Sequence, residues 1–156
     1  MSDYISEAGY QALQDEREHL YRVERPKVVA NVSAAAAEGD RSENAEYIYG
    51  KKRLREIDRR IEHLTRRIDA VQVVPLPKET SHVRFLSVVT VSDDQGEERT
   101  FRIVGADETD TQKGWISWKS PVGRALIGKQ IDDSVSIVTP SKTVEYIIEE
   151  IETGQE

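Results

Sequence analysis

The sequence predicts a protein of two parts, a pair of long helices followed by a small α+β domain. The first half carries apolar residues at helical spacing, whereas short runs rich in Val, Ile and Thr follow residue 83. A segment with two prolines, VVPLPKETSH, separates the two patterns. We therefore expect a helical hairpin over residues 1–74, a linker over 75–82, and an α+β domain with a mostly antiparallel sheet over 83–156.

The first predicted helix covers residues 10–37, with Ser6 or Glu7 near its start. Its apolar seam is loose and consists of Leu13, Leu20, Val28, Val32 and Ala35. Pro26 cannot donate a backbone hydrogen bond, and its ring obstructs the preceding turn. We expect a bend or a local slip of the helix at that point.

The second predicted helix covers residues 44–72 and has a cleaner pattern. Its apolar residues recur at alternating spacings of three and four, as in a heptad seam: Leu54, Ile57, Ile61, Leu64, Ile68 and Val71. Because the connection between the helices is short, they should lie antiparallel as a long coiled-coil hairpin. The connection, residues 38–44, would then lie at its distal end, and we call it the tip segment.

The second half contains short β-prone runs and one short helix. The runs are VRFLSVVTV, RTFRIVGA, GWISW, SVSIVTP and TVEYIIEEI. Asp93-Asp94-Gln95-Gly96 lies between the first two and predicts a hairpin turn. SPVGRALIG predicts a helix that begins after Ser120, with Pro121 at its first position, and stops near Gly128.

Composition limits the classes of function. A chain of 156 residues is short for an enzyme with a deep internal pocket. It has no cysteine, which excludes disulfides and thiolate metal sites. Its first residues do not resemble a signal peptide, and no apolar run is long enough to span a bilayer. We expect a cytoplasmic protein without a membrane partner, and a monomer in isolation.

The net charge of −7 conceals a basic segment. Between Lys51 and Arg67 there are eight basic and three acidic residues. The f and g heptad positions are all basic and form what we call the basic ridge: Lys52, Arg53, Arg59, Arg60, Arg66 and Arg67. Some of these cations should pair with Glu16, Glu18 or Glu24, and a solvated helix face is the alternative. A ridge of a single sign favours contact with phosphates.

The tip segment contains two carboxylates three residues apart, Asp40 and Glu43. As one alternative, Asp40 caps the second helix and Glu43 closes a capping box, after Gly39 ends the first helix. As the other, both carboxylates face outward toward a Mg²⁺ ion. Two carboxylates make half a magnesium site at best, so a partner would have to supply the rest. The sequence has no glycine-rich phosphate loop, and its three histidines are scattered.

Three stretches of the first half closely resemble the bacterial Gre transcript-cleavage factors, in particular the GreB type. They are EGDRSENAEY, KKRLREIDRRI and YISEAGYQAL…ERPKVV. FRIVGADE, SPVGRALIGK and VSIVTP extend the resemblance over essentially the whole chain. The resemblance implies an N-terminal antiparallel coiled coil and an FKBP-like C-terminal domain. It also implies a factor that enters the secondary channel of backtracked RNA polymerase.

The resemblance assigns roles to the tip and the ridge. Asp40 and Glu43 would help to hold the second Mg²⁺ of the polymerase, which hydrolyses the RNA phosphodiester bond; the factor itself is not an enzyme. Ser42 and Asn44 would orient water or shape the loop, and Arg41 would neutralise charge or stabilise the tip. The ridge residues Lys52, Arg53, Arg59 and Arg60 would contact the nascent RNA 3′ segment.

One part of the C-terminal domain departs from the family pattern. Where the family resemblance predicts Asp or Asn before Ser-Pro, this chain has Lys119. The docking surface for the rim of the polymerase channel would comprise Trp118, Lys119, Ser120 and Pro121. Trp115 and Trp118 are either partner anchors or core residues. Two other functions stay open: a channel-binding regulator that does not promote cleavage, and a structural coiled-coil adaptor.

Overall fold

The computed structural model of the protein describes residues 3–39 and 44–154. These residues divide into two compact units. One consists of Tyr10–Ala70, and the other contains the N-terminal residues up to Gly9 together with the chain from Val71 onward. The predicted division kept all of 1–74 in one part, so the two divisions differ at both ends of the helical segment.

Two short strands explain this difference. β1 (Asp3–Ser6) pairs in parallel with β2 (Val71–Val74), with Asp3 beside Val71 and Ser6 beside Val74. β1 also contacts the later strand β4 (Glu98–Val104) and a 3-10 turn, Ala106–Glu108. The prediction that residues 71 and 72 continue the second helix is therefore wrong, because the long-range pairing with β1 draws them into a strand.

The first helical stretch is α1 (Glu7–His19), a π-helical segment (Leu20–Glu24) and α2 (Arg25–Ala36). Ser6 caps α1, since its Oγ accepts a hydrogen bond from the Gly9 amide at 2.9 Å. In the π segment the Arg25 amide donates to the Leu20 carbonyl, five residues back. The local slip predicted from Pro26 is thus confirmed, as a widened turn just before the proline.

α3 (Ala45–Ala70) packs against α2, and the two run in opposite directions. Its contacts with the first helical stretch join residues progressively farther apart in sequence: Asn44 with Ala35, Arg25 with Asp58, and Glu16 with Arg60. The predicted seam is the buried face, with Ile57 and Leu64 at 0 % exposure. Leu13, Leu20, Val28 and Ala35 are buried opposite. The supercoil of a long coiled coil stays a prediction.

A five-stranded sheet forms the second unit, in the order β5-β4-β3-β7-β6. The strands other than β4 are β3 (Ser87–Ser92), β5 (Trp115–Ser117), β6 (Ser134–Val138) and β7 (Thr143–Thr153). Every described pair in this sheet is antiparallel except the parallel pair β4–β5, so the sheet is mixed. The predicted turn between β3 and β4 is confirmed: the Gly96 amide donates to the Asp93 carbonyl at 3.1 Å.

The short helix α4 (Pro121–Leu126) contributes to the core of this unit. The prediction of its start is confirmed, since Ser120 Oγ accepts from the Gly123 amide at 3.1 Å and Pro121 is the first helical residue. The core collects side chains from α4 and from alternate positions of the strands, among them Val89, Val91, Ile103, Leu126 and Ile148. Its likeness to FKBP stays a prediction.

Glu108 joins the 3-10 turn to the start of α1. Its Oε2 accepts from the Gly105 amide at 2.9 Å and from the Ser6 amide at 3.2 Å, and its Oε1 accepts from Ser6 Oγ. Ser6 is 4 % exposed, so this carboxylate satisfies buried donors. A side chain at Gly9 would collide with Glu108, which explains why glycine occupies that position.

Candidate functional site

The tip segment is framed by the ends of α2 and α3. Asp40, Arg41, Ser42 and Glu43 lie outside the described residues. On the α2 side, the Glu38 amide donates to the Ala35 carbonyl at 3.2 Å. Gly39 has a φ of 120°, a conformation that favours glycine, and it follows the end of the helix as predicted.

Asn44 connects the two helix ends. Its side-chain Nδ2 donates to the Ala35 carbonyl at 2.8 Å, and its Oδ1 accepts from the Tyr47 amide at 3.2 Å. Its backbone carbonyl accepts from the Ile48 amide at 3.0 Å, which makes Asn44 the N-cap of α3. The capping-box alternative placed the N-cap at Asp40 and is wrong on that point. Sequence reasoning assigned Asn44 a supporting role, and its amide side chain ties the two helices together.

The described ranges contain no group of three or more Asp, Glu or His side chains able to hold a metal ion. The assignment of Asp40 and Glu43 to a magnesium site stays a prediction, since both residues lie outside the described ranges. Carboxylate oxygens are the ligands that Mg²⁺ prefers, and two of them leave most of its six positions to other groups. The donor set thus suits a site shared with a partner better than a site of this chain alone.

The basic ridge contains both paired and unpaired cations. Arg60 forms a two-point ion pair with Glu16, with distances of 2.6 and 2.9 Å. Arg53 lies 3.6 Å from Glu56 on the same helix. Lys52 and Arg59 are exposed and have no ion-pair partner among the residues that the structure describes. Of the four residues assigned to RNA contact, these two are the most available to an external anion.

The other ridge cations and their expected partners follow local pairings. Arg66 pairs with Glu62 at 2.8 Å along α3, and Arg67 also has an interaction within the molecule. Of the three glutamates expected to pair with the ridge, Glu16 does so. Glu18 pairs with Arg22 at 3.3 Å, and Glu24 lies 3.3 Å from His19.

The pKa of Glu16 lies below its ordinary value, because Arg60 donates hydrogen bonds to the carboxylate and adds a favourable charge; partial burial opposes this shift. On the other flank, the pKa of Arg25 is raised by its hydrogen bond to Asp58, at 2.8 Å. Both ion pairs cross between the first helical stretch and α3. They position the ridge rather than bind an external ligand.

A groove near the start of α3 was not anticipated from the sequence. It has a volume of about 370 Å³ and is lined by Val28, Asn31 and Ala34 of α2 and by Glu46, Tyr49, Gly50 and Arg53 of α3. We call it the Tyr49 groove. Its sequence signal is weak: Tyr49 stands outside the apolar seam, and Gly50 interrupts an otherwise strong helical pattern.

The expected docking residues at the start of α4 also have internal partners. The Trp118 ring packs against Tyr4 with ring centres 5.0 Å apart and contacts the core. Its indole Nε1 is buried and, within the described ranges, has no hydrogen-bond partner. Lys119 Nζ lies 3.6 Å from an Asp3 carboxylate oxygen and 5.3 Å from the Trp118 ring centre.

The remaining residues of this group differ in availability. Ser120 is half-buried as the cap of α4, whereas Pro121 is exposed. Trp115 is half-buried, with Arg102 and Lys113 at 5.0 and 4.9 Å from its ring centre. The structure thus gives both tryptophans contacts within their own unit.

The chain matches two family models in succession. Residues 3–73 match "Transcription elongation factor, N-terminal" of the GreA/GreB family, and residues 78–153 match "Transcription elongation factor, GreA/GreB, C-term". No described helix is both long enough and apolar enough to cross a membrane.

Curated relatives agree with the family models. The chain is 55% identical over 151 residues to transcription elongation factor GreB of Yersinia pestis, covering 96% of this chain and 88% of the relative. It is 54% identical to GreB of Pasteurella multocida, with 96% of each chain covered. Among solved structures, Gfh1 of Thermus aquaticus is 22% identical, covers 97% of this chain and 98% of its own, and has a TM-score of 0.45.

The sequence matches therefore settle the family, because the models cover nearly the whole chain and the identity to relatives exceeds one half. The expectation drawn from the tip and ridge motifs is confirmed at this level. The chain belongs to the GreA/GreB family of transcription elongation factors and is of the GreB type.

Proposed function

We propose that this protein enters the secondary channel of RNA polymerase with its coiled-coil tip foremost and stimulates Mg²⁺-dependent endonucleolytic cleavage of the backtracked RNA 3′ end. Arrested elongation complexes would thereby resume synthesis. The observation that carries the proposal is the pairing of the helix ends on either side of the tip segment. α2 and α3 run in opposite directions, and Asn44 holds the end of one against the start of the other.

In this proposal, Asp40 and Glu43 supply carboxylate oxygens to a magnesium site that the polymerase completes. When bound, the ion would activate water for attack on the phosphodiester and stabilise the leaving oxygen. Asn44 keeps the two helix ends together, and Arg41 and Ser42 support the tip segment. The isolated protein would cut no RNA, because most of the metal ligands belong to the polymerase.

The basic ridge would contact the RNA 3′ segment that backtracking extrudes. Lys52 and Arg59 are the strongest candidates, since they are exposed and have no ion-pair partner in the described part of the chain. Arg53 contributes despite its contact with Glu56. Arg60 contributes less, because Glu16 already accepts two of its hydrogen bonds.

Docking at the channel rim would use the surface at the start of α4. Pro121 is exposed, and Lys119 presents a cation that is 36 % exposed beside Trp118. Trp118 and Ser120 are positioning residues for this surface, since one packs against Tyr4 and the other caps the helix. A polymerase surface with an acidic residue would complement Lys119.

The test uses a purified backtracked complex of the cognate polymerase with a labelled transcript and Mg²⁺. The wild-type protein should release 3′ RNA fragments. Asp40→Asn and Glu43→Gln should compete with it for the polymerase without promoting release. As a matched control, Glu38→Gln removes an acidic group from the same segment and should retain cleavage.

Two results would contradict the proposal in different ways. Equal fragment release by the wild type and both tip variants would remove Asp40 and Glu43 from the reaction. Binding by all proteins without release by any would support a channel-binding regulator that does not promote cleavage.

A further inference from the structure

The Tyr49 groove adds side chains that belong to neither the tip segment nor the basic ridge, among them Tyr49 and Asn31. Tyr49 is 70 % exposed and lies outside the apolar seam of α3, so its ring is available to an external ligand. Gly50, beside it, is buried, and a Cβ at that position would lie 2.6 Å from Val32 Cγ2. The absence of a side chain therefore lets α3 approach α2 closely at the edge of the groove.

The lining offers an apolar face together with a polar edge. The Tyr49 ring and Val28 provide apolar surface, while Asn31 and Glu46 provide an amide and a carboxylate. An unpaired nucleobase has the complementary character: flat faces that stack on aromatic rings, and an edge of hydrogen-bond donors and acceptors. Asn31 can meet either kind of group, and Glu46 can accept from an amino group.

A cation that could contact a phosphate lies at the border of the same groove. Arg53 lines it and lies four residues after Tyr49, so both belong to one face of α3. Arg53 is also a member of the basic ridge, and Lys52 precedes it. A single strand that follows the ridge with its phosphates can therefore turn one base toward Tyr49.

The size of the groove is compatible with a single nucleotide. Its volume of about 370 Å³ lies near the low end of the range for small-ligand sites, roughly 300–1,000 Å³. That room suits one nucleotide. The cation at its border favours RNA over an apolar peptide segment.

We propose that the Tyr49 groove binds one unpaired base of single-stranded RNA, with the base stacked on Tyr49 and its phosphate beside Arg53. The inference rests on the proposed function for the source of that RNA, the extruded 3′ segment. It adds a contact that recognises a base to a ridge that recognises only the backbone. Binding should consequently depend on the presence of bases and not on charge alone.

The experiment measures binding of the full-length protein to a fluorescent single-stranded RNA oligonucleotide by anisotropy at low salt, without polymerase or Mg²⁺. A second oligonucleotide of the same length has abasic ribose at every position. The wild-type protein should bind the base-containing RNA about tenfold more tightly, the size expected for one stacked base. Tyr49→Leu should lose this preference and bind both oligonucleotides alike, whereas Tyr49→Phe should retain it.

Two controls separate the groove from the ridge and from general unfolding. Tyr21→Leu removes another exposed tyrosine, 63 % exposed and outside the groove, and should leave both affinities unchanged. Arg59→Gln should weaken binding to both oligonucleotides by the same factor. Circular dichroism of each variant verifies that its helices are intact.

Equal wild-type affinity for the two oligonucleotides, or no detectable binding to either, would overturn the inference. An equal loss for both RNAs in Tyr49→Leu would also overturn it, because the contribution of Tyr49 would then not depend on a base. Because polymerase is absent, these outcomes are distinguishable from failure of the proposed function. The cleavage assay with Asp40→Asn tests that function separately.

Discussion

The side chain of Glu108 connects two parts of the chain that are far apart in sequence. Its carboxylate accepts hydrogen bonds from Ser6, more than one hundred positions earlier, and from Gly105 in its own turn. Hydrogen bonds to a charged group contribute about 1.5–3 kcal/mol where the donors are otherwise buried. The start of α1 therefore depends on a residue of the C-terminal half of the chain.

Glu108→Ala should lower the free energy of unfolding by about 2–3 kcal/mol, because it leaves buried donors of Ser6 unsatisfied. Glu108→Gln keeps one oxygen as an acceptor and should cost less. Urea denaturation followed by circular dichroism gives both values. The control Glu98→Ala, at an exposed position of β4, should stay within about 0.5 kcal/mol of the wild type. A loss of stability as large as that of Glu108→Ala would contradict the role of the hydrogen bonds between Glu108 and Ser6.

Glu150 provides a dependence of stability on pH. Its pKa is raised, chiefly because it shares a hydrogen bond and a like charge with Glu152 on β7. A carboxyl whose pKa is higher in the folded state binds its proton more tightly there, so the repulsion costs stability above that pKa and disappears below the unfolded value. Glu150→Gln should therefore be more stable than the wild type at neutral pH and equal to it in acid.

Thermal denaturation over a range of pH measures this difference. Glu145→Gln is the matched control, since Glu145 lies on the same strand but opposite Ser136. This variant should show no comparable stabilisation at neutral pH. A stabilisation by Glu150→Gln that persisted unchanged into acid would mean that the repulsion from Glu152 is not its cause.

Helix α3 begins at a side chain that also binds the preceding helix. Asn44→Ala removes both the cap on Tyr47 and the bond to the Ala35 carbonyl, and should cost about 1–2 kcal/mol. Asn44→Asp keeps the acceptor for Tyr47 but loses the donor, so its cost should be intermediate. Hydrogen exchange at the Tyr47 and Ile48 amides should quicken most in the alanine variant, and equal exchange in both variants would assign the effect to the lost bond to the Ala35 carbonyl rather than to the cap.

Because α2 and α3 are in contact at Gly50, the effect of Gly50→Ala on stability should change sign when Val32 is also replaced. Gly50→Ala should destabilise the protein, because the new Cβ would lie 2.6 Å from Val32 Cγ2. In a Val32→Ala background the same substitution should stabilise by about 0.5–1 kcal/mol, the ordinary advantage of alanine over glycine within a helix. A double-mutant cycle by chemical denaturation measures this coupling. Additive effects would contradict the contact.

Some elements follow from local sequence, and others depend on distant pairing. The apolar spacing of α3, the cap at Ser120 and the turn at Asp93 are local patterns, and the structure has all three. Val71 continues the helical spacing yet lies in a strand, because it pairs with Asp3. This partner is far away in sequence, so the local pattern does not reveal the pairing. Leu86 is fully buried and has a φ of 73°. A positive φ is rare for a leucine, and nothing in the neighbouring sequence predicts it.

Some features of the candidate site can likewise be predicted from local sequence, whereas others depend on contacts between helices. The tip acids and the basic ridge are predictions from spacing and charge within one continuous segment. The division of the ridge into paired and unpaired cations needs the position of Glu16 on another helix. The Tyr49 groove requires residues of α2 and α3 to meet, and no one-dimensional pattern places Asn31 beside Tyr49.

For the molecule as a whole, charge separation should govern how RNA binding responds to salt. The chain has a net charge of −7 but concentrates cations on α3. Each phosphate contact with a single strand contributes about 0.7 to the slope of log affinity against log salt. Lys52→Gln and Arg59→Gln should each reduce that slope by about 0.7, as measured by anisotropy over a series of salt concentrations.

The matched control is Lys142→Gln, an exposed cation of the other unit, which should leave the slope unchanged. Arg60→Gln should reduce the slope less than Arg59→Gln, because Glu16 already neutralises Arg60. The opposite order would remove the distinction between free and paired cations on which the choice of Lys52 and Arg59 depends.

The widened turn at Leu20–Glu24 has a consequence for the history of this chain. The buried residues of this stretch are Leu13, Leu20, Val28 and Ala35, spaced seven, eight and seven apart. The interval between Leu20 and Val28 is therefore one residue longer than the other two. In a uniform α-helix that extra position would rotate everything after it by about 100° and expose Val28 and Ala35. A turn closed over five residues absorbs the rotation locally. A gene that gained one codon here could therefore keep its protein's interior unchanged.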